Sequence, residues 1–334
     1  MTGNINRHTS FQKFSLLTLV AIWLLILVGG IVRATGSGMG CPDWPKCFGV
    51  WIPPTSVEQL PINYQELYQH RGYKDVEFNA VKTWIEYINR LIGVLVGLFV
   101  VALSYLSLKT KSKVLIGLSF AALVLIIFQG WLGSVVVATV LKPIMISLHM
   151  LLALVIIAVV MLAYVYSRKL EGVRALYRFT NRSLFLRLNL VLLAASFLQV
   201  FMGIGVREQV EYLVNELSTA RPLIIDNLNY LFYIHRSFSL LILAVYIRIM
   251  VKCSNHIKGT IIGKMFNLSG AFIVLNIMTG VLFNYFDFPA FAQPLHLLFG
   301  ISLLLSVKAS VFFAYFAAPF SASIVNQNKS VLAS

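Results

Sequence analysis

Residues 141–169, LKPIMISLHMLLALVIIAVVMLAYVYSRK, decide what kind of protein this is. Between Lys142 and Arg168 no side chain carries a fixed charge, and the one group that titrates near neutrality is His149. At 1.5 Å of rise per residue, such a stretch wound as a helix crosses the roughly 30 Å hydrocarbon core of a bilayer. Seven more stretches pass the same test: roughly 14–34, 84–108, 114–138, 183–206, 230–251, 265–285 and 293–317. The chain therefore reads as an all-α integral membrane protein with eight transmembrane helices.

Composition agrees. Hydrophobic residues make up 59% of the 334 and charged residues 12%, against soluble averages of about half and about a quarter. So few charges cannot cover a water-facing surface. The net charge of +15 does not indicate nucleic acid, because the basic residues stand in short runs between apolar stretches instead of on one face. The first stretch, Phe14 to Val32, is too long for a signal-peptide core and lacks a small-residue cleavage pattern, so it reads as a retained helix.

Sorting the charges by loop gives an orientation. One set of segments holds Arg7 and Lys13, then Lys109, Lys111 and Lys113, then Arg168, Lys169, Arg174, Arg178, Arg182 and Arg187, then Arg248, Lys252, Lys258 and Lys264, with Glu171 as the lone acid. The alternate loops carry Asp43, Glu58, Glu66, Asp75, Glu77, Glu208, Glu211, Glu216, Asp226 and Asp287. Basic loops stay inside, so both termini are expected to be cytoplasmic in a multi-pass protein of the inner (cytoplasmic) membrane. The first outer loop, about 35–83, is long and proline-rich; a loop of that size is usually functional or packed on something. The third, about 207–229, is acidic.

The chain also repeats itself. Gly29-Gly30-Ile31-Val32-Arg33 returns as Gly203-Ile204-Gly205-Val206-Arg207, and Ile88-Asn89-Arg90 returns as Ile234-His235-Arg236. Gln129-Gly130, a short turn and His149 return as Thr279-Gly280, a short turn and His296. Four matches in one order indicate a duplicated unit, here two pseudo-symmetric four-helix bundles, residues 1–175 and 176–334, related by an axis along the membrane normal.

Three of the six histidines, His149, His235 and His296, lie in these stretches, each one or two turns from the outer end. Ionisable side chains in a bilayer are rare and face the bundle interior with a partner. A lone one is as readily a helix–helix contact as a ligand, but three at repeat-related positions point to a shared task. His8, His70 and His256 fall in loops and read as solvated. A proton relay would need carboxylates in the spans, where only Glu86 stands, and zinc would call for Cys or further acids. Iron in haem takes two axial imidazoles from facing helices. Gly93, Gly97, Gly130, Gly133, Gly203, Gly205, Gly280 and Gly300 would let a ring approach the backbone, although close helix packing explains glycine equally well. His235 and His296 are thus the candidate pair for one haem. In the first half the corresponding residues are Asn89 and His149, so one imidazole is missing and the coordination side is open. Glu86 lies one turn before Asn89 on the same face; its readings are an interfacial anchor or a carboxylate that takes a proton at a haem edge. Arg90 and Arg236 either snorkel outward or pair with haem propionates. For Cys41 and Cys47, an extracytoplasmic loop permits a disulfide, with metal binding as the alternative. Cys253 reads as a free thiol.

The segment Val28 to Gly38 followed by Cys41-Pro42-Asp43-Trp44-Pro45-Lys46-Cys47 resembles the haem A synthase family, as do Glu86-x-x-Asn89-Arg90-x-x-Gly93, Gln129-Gly130-Trp131-Leu132-Gly133, His149, His235-Arg236 and Gln293-Pro294-Leu295-His296. The likeness covers nearly the whole chain. It implies oxidation of a ring methyl of haem O to a formyl group by successive hydroxylation, giving haem A for terminal haem-copper oxidases. It further implies haem b as cofactor on His235 and His296, with Arg236 as a propionate contact. Haem O would be the substrate, held by His149, Asn89 and Arg90 beside the catalytic carboxylate Glu86. It implies a Cys41–Cys47 disulfide, haem sites near the outer face, and haem O synthase and the terminal oxidase assembly machinery as partners, with a quinone or other electron acceptor and membrane lipid around it. The sequence departs from the family in having Asn89 where a histidine is usual, and no second Cys pair in the third outer loop. The other classes open to the chain are a non-enzymatic b-type membrane cytochrome relaying electrons and a haem delivery factor. A pure electron carrier would want bis-His haems at two depths, whereas every candidate ligand here shares one.

Overall fold

A computed structural model describes residues 2–170, 181–215 and 217–316. Among them there are nine α-helices and no strand, and eight of the helices are long and apolar enough to cross a membrane. These are α1 (Thr2–Ala34), α2 (Ala80–Lys109), α3 (Lys113–Ala138), α4 (Pro143–Leu170), α5 (Arg182–Asn215), α6 (Tyr230–Ile257), α7 (Ile261–Tyr285) and α8 (Ala292–Phe316). In a bilayer every backbone polar group must be satisfied within the segment, which leaves the helix as the available form for such sequences. Side chains mark the starts: Asn79 accepts from the Lys82 amide before α2, Ser112 from Leu115 before α3 and Thr260 from Gly263 before α7, supplying acceptors for amides that a helix start leaves open.

The helices close into two rings of four. In the first, α1 packs on α2 and α4, and α3 on both of those; in the second, α5 packs on α6 and α8, and α7 on both of those. The rings meet chiefly where α8 lies against α1 and α4. α8 is the deepest element: 61% of its apolar window is buried, against at most 28% in any other. Lipid tails are as apolar as leucine, so association rests on close packing and interhelical hydrogen bonds. Phe11, Val100, Leu103, Leu115 and Ile156 fill the first ring, and Phe185, Leu192, Ile249, Phe266 and Val307 the second. Trp23 Nε1 donates to Ser302 Oγ at 2.8 Å, tying α1 to α8, and Gln12 Nε2 donates to the Ser167 carbonyl at 3.0 Å, tying α1 to α4.

Two expectations are revised. α5 does not stop near residue 206 but runs to Asn215, so the first part of the expected 207–229 loop is helix. The extension is held because Val210 and Leu213 bury against Ile224, Leu228, Phe232 and Phe288. α1 likewise begins before residue 14, since Phe11 is fully buried in the first core. The expected boundary between residues 175 and 176 lies outside the described residues, as do Glu171, Arg174, Arg178, Glu216 and the last residue, 317, of the eighth expected span.

The long loop between α1 and α2 packs on its own small core. Cys41, Cys47, Phe48, Leu60 and Tyr73 are buried there, and Phe48 is ringed edge-on by Tyr64, Tyr68, Tyr73 and Phe78. Cys41 and Cys47 form a disulfide. The shorter turns at this end, α3–α4 and α7–α8, each contain two consecutive left-handed residues, Val140-Leu141 and Asp287-Phe288. Such residues are costly outside glycine. Both pairs put their second side chain into protein, Leu141 beneath Gly38 and Phe288 into the cluster around Val210.

Candidate functional site

His235 on α6 and His296 on α8 stand on helices diagonal across the second ring, and their imidazoles meet in its interior with centroids 6.3 Å apart at an interplanar angle of 61°. Thr279 Oγ1, on α7, lies 2.7 Å from His296 Nδ1 and within 3.0 Å of the Leu275 and Asn276 carbonyls of its own helix. A hydroxyl has one proton to give. Spent on a carbonyl, it leaves Thr279 Oγ1 to accept from Nδ1–H, which fixes the tautomer with a lone pair on Nε2, the form a metal binds. On the other side, Gln199 Nε2 donates to the His235 carbonyl at 2.9 Å, and Gly203 presses on the ring: a Cβ there would lie 3.2 Å from His235 Cε1. His235 Nδ1 is buried without a hydrogen-bond partner.

In the first ring the diagonal helices α2 and α4 carry Asn89 and His149. Asn89 on α2 is backed by Gly29 of α1, and His149 on α4 by Gly133 of α3, whose Cβ would stand 3.3 Å from His149 Cε1. Gln129 Nε2 donates to the His149 carbonyl at 3.0 Å. Asn89 Oδ1 and His149 Nδ1 are both buried and unpartnered. A Cβ at Gly93, one turn along the face from Asn89, would meet nothing within 4 Å.

These residues fit iron porphyrin. A centroid separation of 6.3 Å matches two imidazole–metal bonds of about 2.0–2.1 Å each plus the two ring half-widths. Buried polar atoms ordinarily have partners; Nδ1 of both His149 and His235 has none among the described residues, so each ring keeps unused hydrogen-bonding capacity inside its bundle. Glycines at each ring leave room that side chains would fill.

Glu86 and Arg90 both engage the disulfide loop. Glu86 is 4% exposed, and both its oxygens are engaged: Oε2 accepts from the Cys41 amide at 2.9 Å, and Oε1 from Arg90 Nη2 at 2.5 Å and Nε at 3.2 Å. Arg90 gives its other donors to loop carbonyls, Asp43 at 2.7 Å, Lys46 at 3.0 Å and Cys41 at 3.2 Å. All five guanidinium N–H groups are thereby committed. Together with Thr83, whose hydroxyl donates to the Gly40 carbonyl at 2.8 Å, the pair clasps the disulfide loop onto α2. Asp43 accepts from the Phe48 and Gly49 amides at 2.7 and 2.8 Å, shaping the loop from within. Tyr73 donates to the Met39 carbonyl, and burial holds its phenol above the ordinary value for tyrosine. Arg236, in contrast, lies over Phe232 and Tyr233, and among the described residues its one hydrogen-bond partner is Asn284 Oδ1, at 3.4 Å.

The chain matches the cytochrome oxidase assembly protein family (COX15-CtaA) over residues 12–308. It belongs to that family. Every helix and every candidate ligand described above falls wholly or largely inside the match. Among curated members, a protein named Heme A synthase from Shewanella oneidensis is 36% identical over 152 residues, 46% of this chain and 44% of that protein. One of the same name from Alkalihalophilus pseudofirmus is 34% identical over 130 residues, 38% of this chain and 36% of its own length. A third, from Ehrlichia canis, is 34% identical over 151 residues, 41% and 43% of the two chains. The aligned stretches thus span less than half the length of these relatives. Of the residues around these sites, sequence reasoning missed Thr279, Gln129 and Gln199. A signal existed for two of them: Gln129 and Thr279 precede the paired glycines of the repeat and both turn out to address the histidine of the following helix.

Proposed function

We propose that the protein is a haem A synthase: it oxidises a ring methyl of haem O to a formyl group by successive hydroxylation, supplying haem A for terminal oxidases. The observation that carries this reading is the asymmetry of the two rings. Two imidazoles face each other in the second, 6.3 Å apart, with Thr279 orienting one of them. The first offers one imidazole opposite an amide, each with an unpartnered buried atom.

In this reading His235 and His296 would hold a haem b cofactor through its iron, and Arg236 would meet its propionates. Haem b held there supplies one-electron transfer. His149 is the single strong ligand of the substrate haem, and Asn89, too weak to replace an imidazole, leaves the opposite face accessible. Glu86 is the carboxylate beside that site. Its clasp with Arg90 means that proton transfer through Glu86 is coupled to the hold on the loop, and Arg90 serves the substrate by fixing that loop. The two rings are related halves, the long loop and its disulfide lie on the outer face, and both termini are cytoplasmic. Haem O synthase and the oxidase assembly machinery are the expected partners, and a quinone is the candidate acceptor of electrons.

The test is to express the protein together with haem O synthase in a host without haem A and to extract the haems. Haem A or its hydroxylated precursor is expected. Bound haem b with neither of these products would overturn the reading.

A further inference from the structure

The outer turns of α4 are held from the other half of the molecule. Arg207, on the extension of α5, is 8% exposed and reaches across to the start of α4. Its Nη2 donates to Ser147 Oγ at 3.0 Å and to the Pro143 carbonyl at 3.3 Å, and its Nη1 approaches Met150 Sδ at 3.2 Å. Residues 147 and 150 flank His149 within a single turn. Two carboxylates neutralise the node. Glu211 Oε2 lies 3.4 Å from Arg207 Nη2, and its Oε1 accepts from Arg33 Nε at 2.7 Å; Glu208 Oε1 accepts from Ser147 Oγ at 2.8 Å. Arg33 and Arg207 are the two arginines that end the repeated Gly-rich motif, so one acid joins the equivalent points of both halves.

The placement of a cation there is not what helix physics favours. The start of a helix carries the positive end of its dipole and attracts anions, so Arg207 sits on α4 at a cost that Glu208 and Glu211 offset. Elsewhere the two helices are not tightly joined. α4 and α5 face each other across a cleft lined by Leu154, Ile157, Leu193 and Phe197. The Arg207 node closes that cleft at the loop end, at the level of His149.

We infer that Arg207 is a positioning residue for the His149 site, through which the C-terminal ring sets where the first turns of α4 stand. This rests on the reading of His149 as a haem ligand. Substitution at Arg207 loosens residues 144–150 and weakens haem binding at His149, while the His235–His296 site is unchanged, because the contacts of Gln199, Gly203 and Thr279 with its histidines do not involve the Arg207 side chain.

The experiment uses the purified full-length protein carrying its tightly bound haem, titrated with protohaemin and followed by Soret difference spectra, alongside amide exchange of residues 144–150. Arg207→Ala is expected to lower the affinity of the second, weaker site about tenfold and to speed exchange in 144–150, with the bis-imidazole spectrum and haem content of the first site unchanged. Arg207→Lys should recover part of the affinity, since one ammonium still reaches Ser147 and Glu211. Ser147→Ala, a smaller change, should shift exchange in the same direction if Arg207→Ala does not fold. His149→Ala separates the two readings. If it leaves protohaemin uptake unaltered, the assignment of His149 is wrong, while faster exchange in Arg207→Ala would still uphold the clamp. Wild-type affinity and exchange in Arg207→Ala, or equal losses at both sites together with thermal stability, would overturn the inference.

Discussion

Breaking the Glu86–Arg90 clasp at both residues together should cost clearly less than the sum of the two single losses. Glu86 is 4% exposed and the side chain of Arg90 12%, so neither charge has water to fall back on. Arg90→Leu strands the Glu86 carboxylate and leaves the Asp43, Lys46 and Cys41 carbonyls without their donor. Removing one partner of a buried ion pair costs about 3–5 kcal/mol, whereas replacing both by apolar groups is often close to neutral. Here the double variant Glu86→Leu/Arg90→Leu still loses the three loop carbonyl contacts and the Cys41 amide bond, so it should remain weaker than wild type. The coupling between the two sites, from a double-mutant cycle, is expected at about 2–3 kcal/mol, less than a full single-residue penalty because of that residue of lost contacts. The readout is the opening free energy of the loop, taken from amide exchange at Cys41, Phe48 and Gly49, since local opening reports local stability. Additive losses in the double variant, or single-variant losses below about 1 kcal/mol, would refute the claim that this pair holds the loop.

Two further outcomes follow from the same geometry. Thr279→Val removes the acceptor on His296 Nδ1 and should lower affinity for haem at the His235–His296 site by about 10–100-fold, the usual effect of losing a ligand-orienting partner; haem retention in a competition with apomyoglobin measures it, and no change would mean that Thr279 does not orient the ring. Replacing Cys41 and Cys47 by Ser opens a link across six positions of sequence, so the loop should lose about 2 kcal/mol on the chain-entropy estimate; protease nicking within 42–79 should rise, while haem at the His235–His296 site stays.

Much of this was legible in the sequence, for reasons that are themselves physical. A bilayer demands long uncharged runs, so α2, α3, α4, α7 and α8 could be placed to within a few residues, while α6 starts where expected and runs on to Ile257, six residues beyond the expected end. Repeat-related histidines on a helical face stand out against apolar neighbours, so His149, His235 and His296 needed no partner to be noticed. What stayed hidden depends on contacts distant in sequence. Glu208 and Glu211 count in the sequence only as acids of an outer loop, because only their sign is visible; their partners Ser147 and Arg33 lie 61 and 178 positions away. Arg90 looked free to meet a propionate because nothing in its own segment reveals the carbonyls at residues 41, 43 and 46. The end of α5 was misjudged because hydropathy falls at Arg207 and the extension is stabilised by a small apolar cluster outside the span.

α8 lies against α1 and α4 of the first ring as well as α5 and α7 of its own, and this bears on how the protein is made. A ribosome adds about 5–20 residues per second, so His296 leaves it some 7–30 s after His149. Throughout that interval α1 and α4 present to lipid the faces that α8 will later cover, although the four helices of the first ring are all made. The first ring can therefore close on itself before the second exists, but with one flank still against lipid. Biogenesis thus imposes an order, in which the helix that brings His296 closes the second ring and covers the flank of the first in one step.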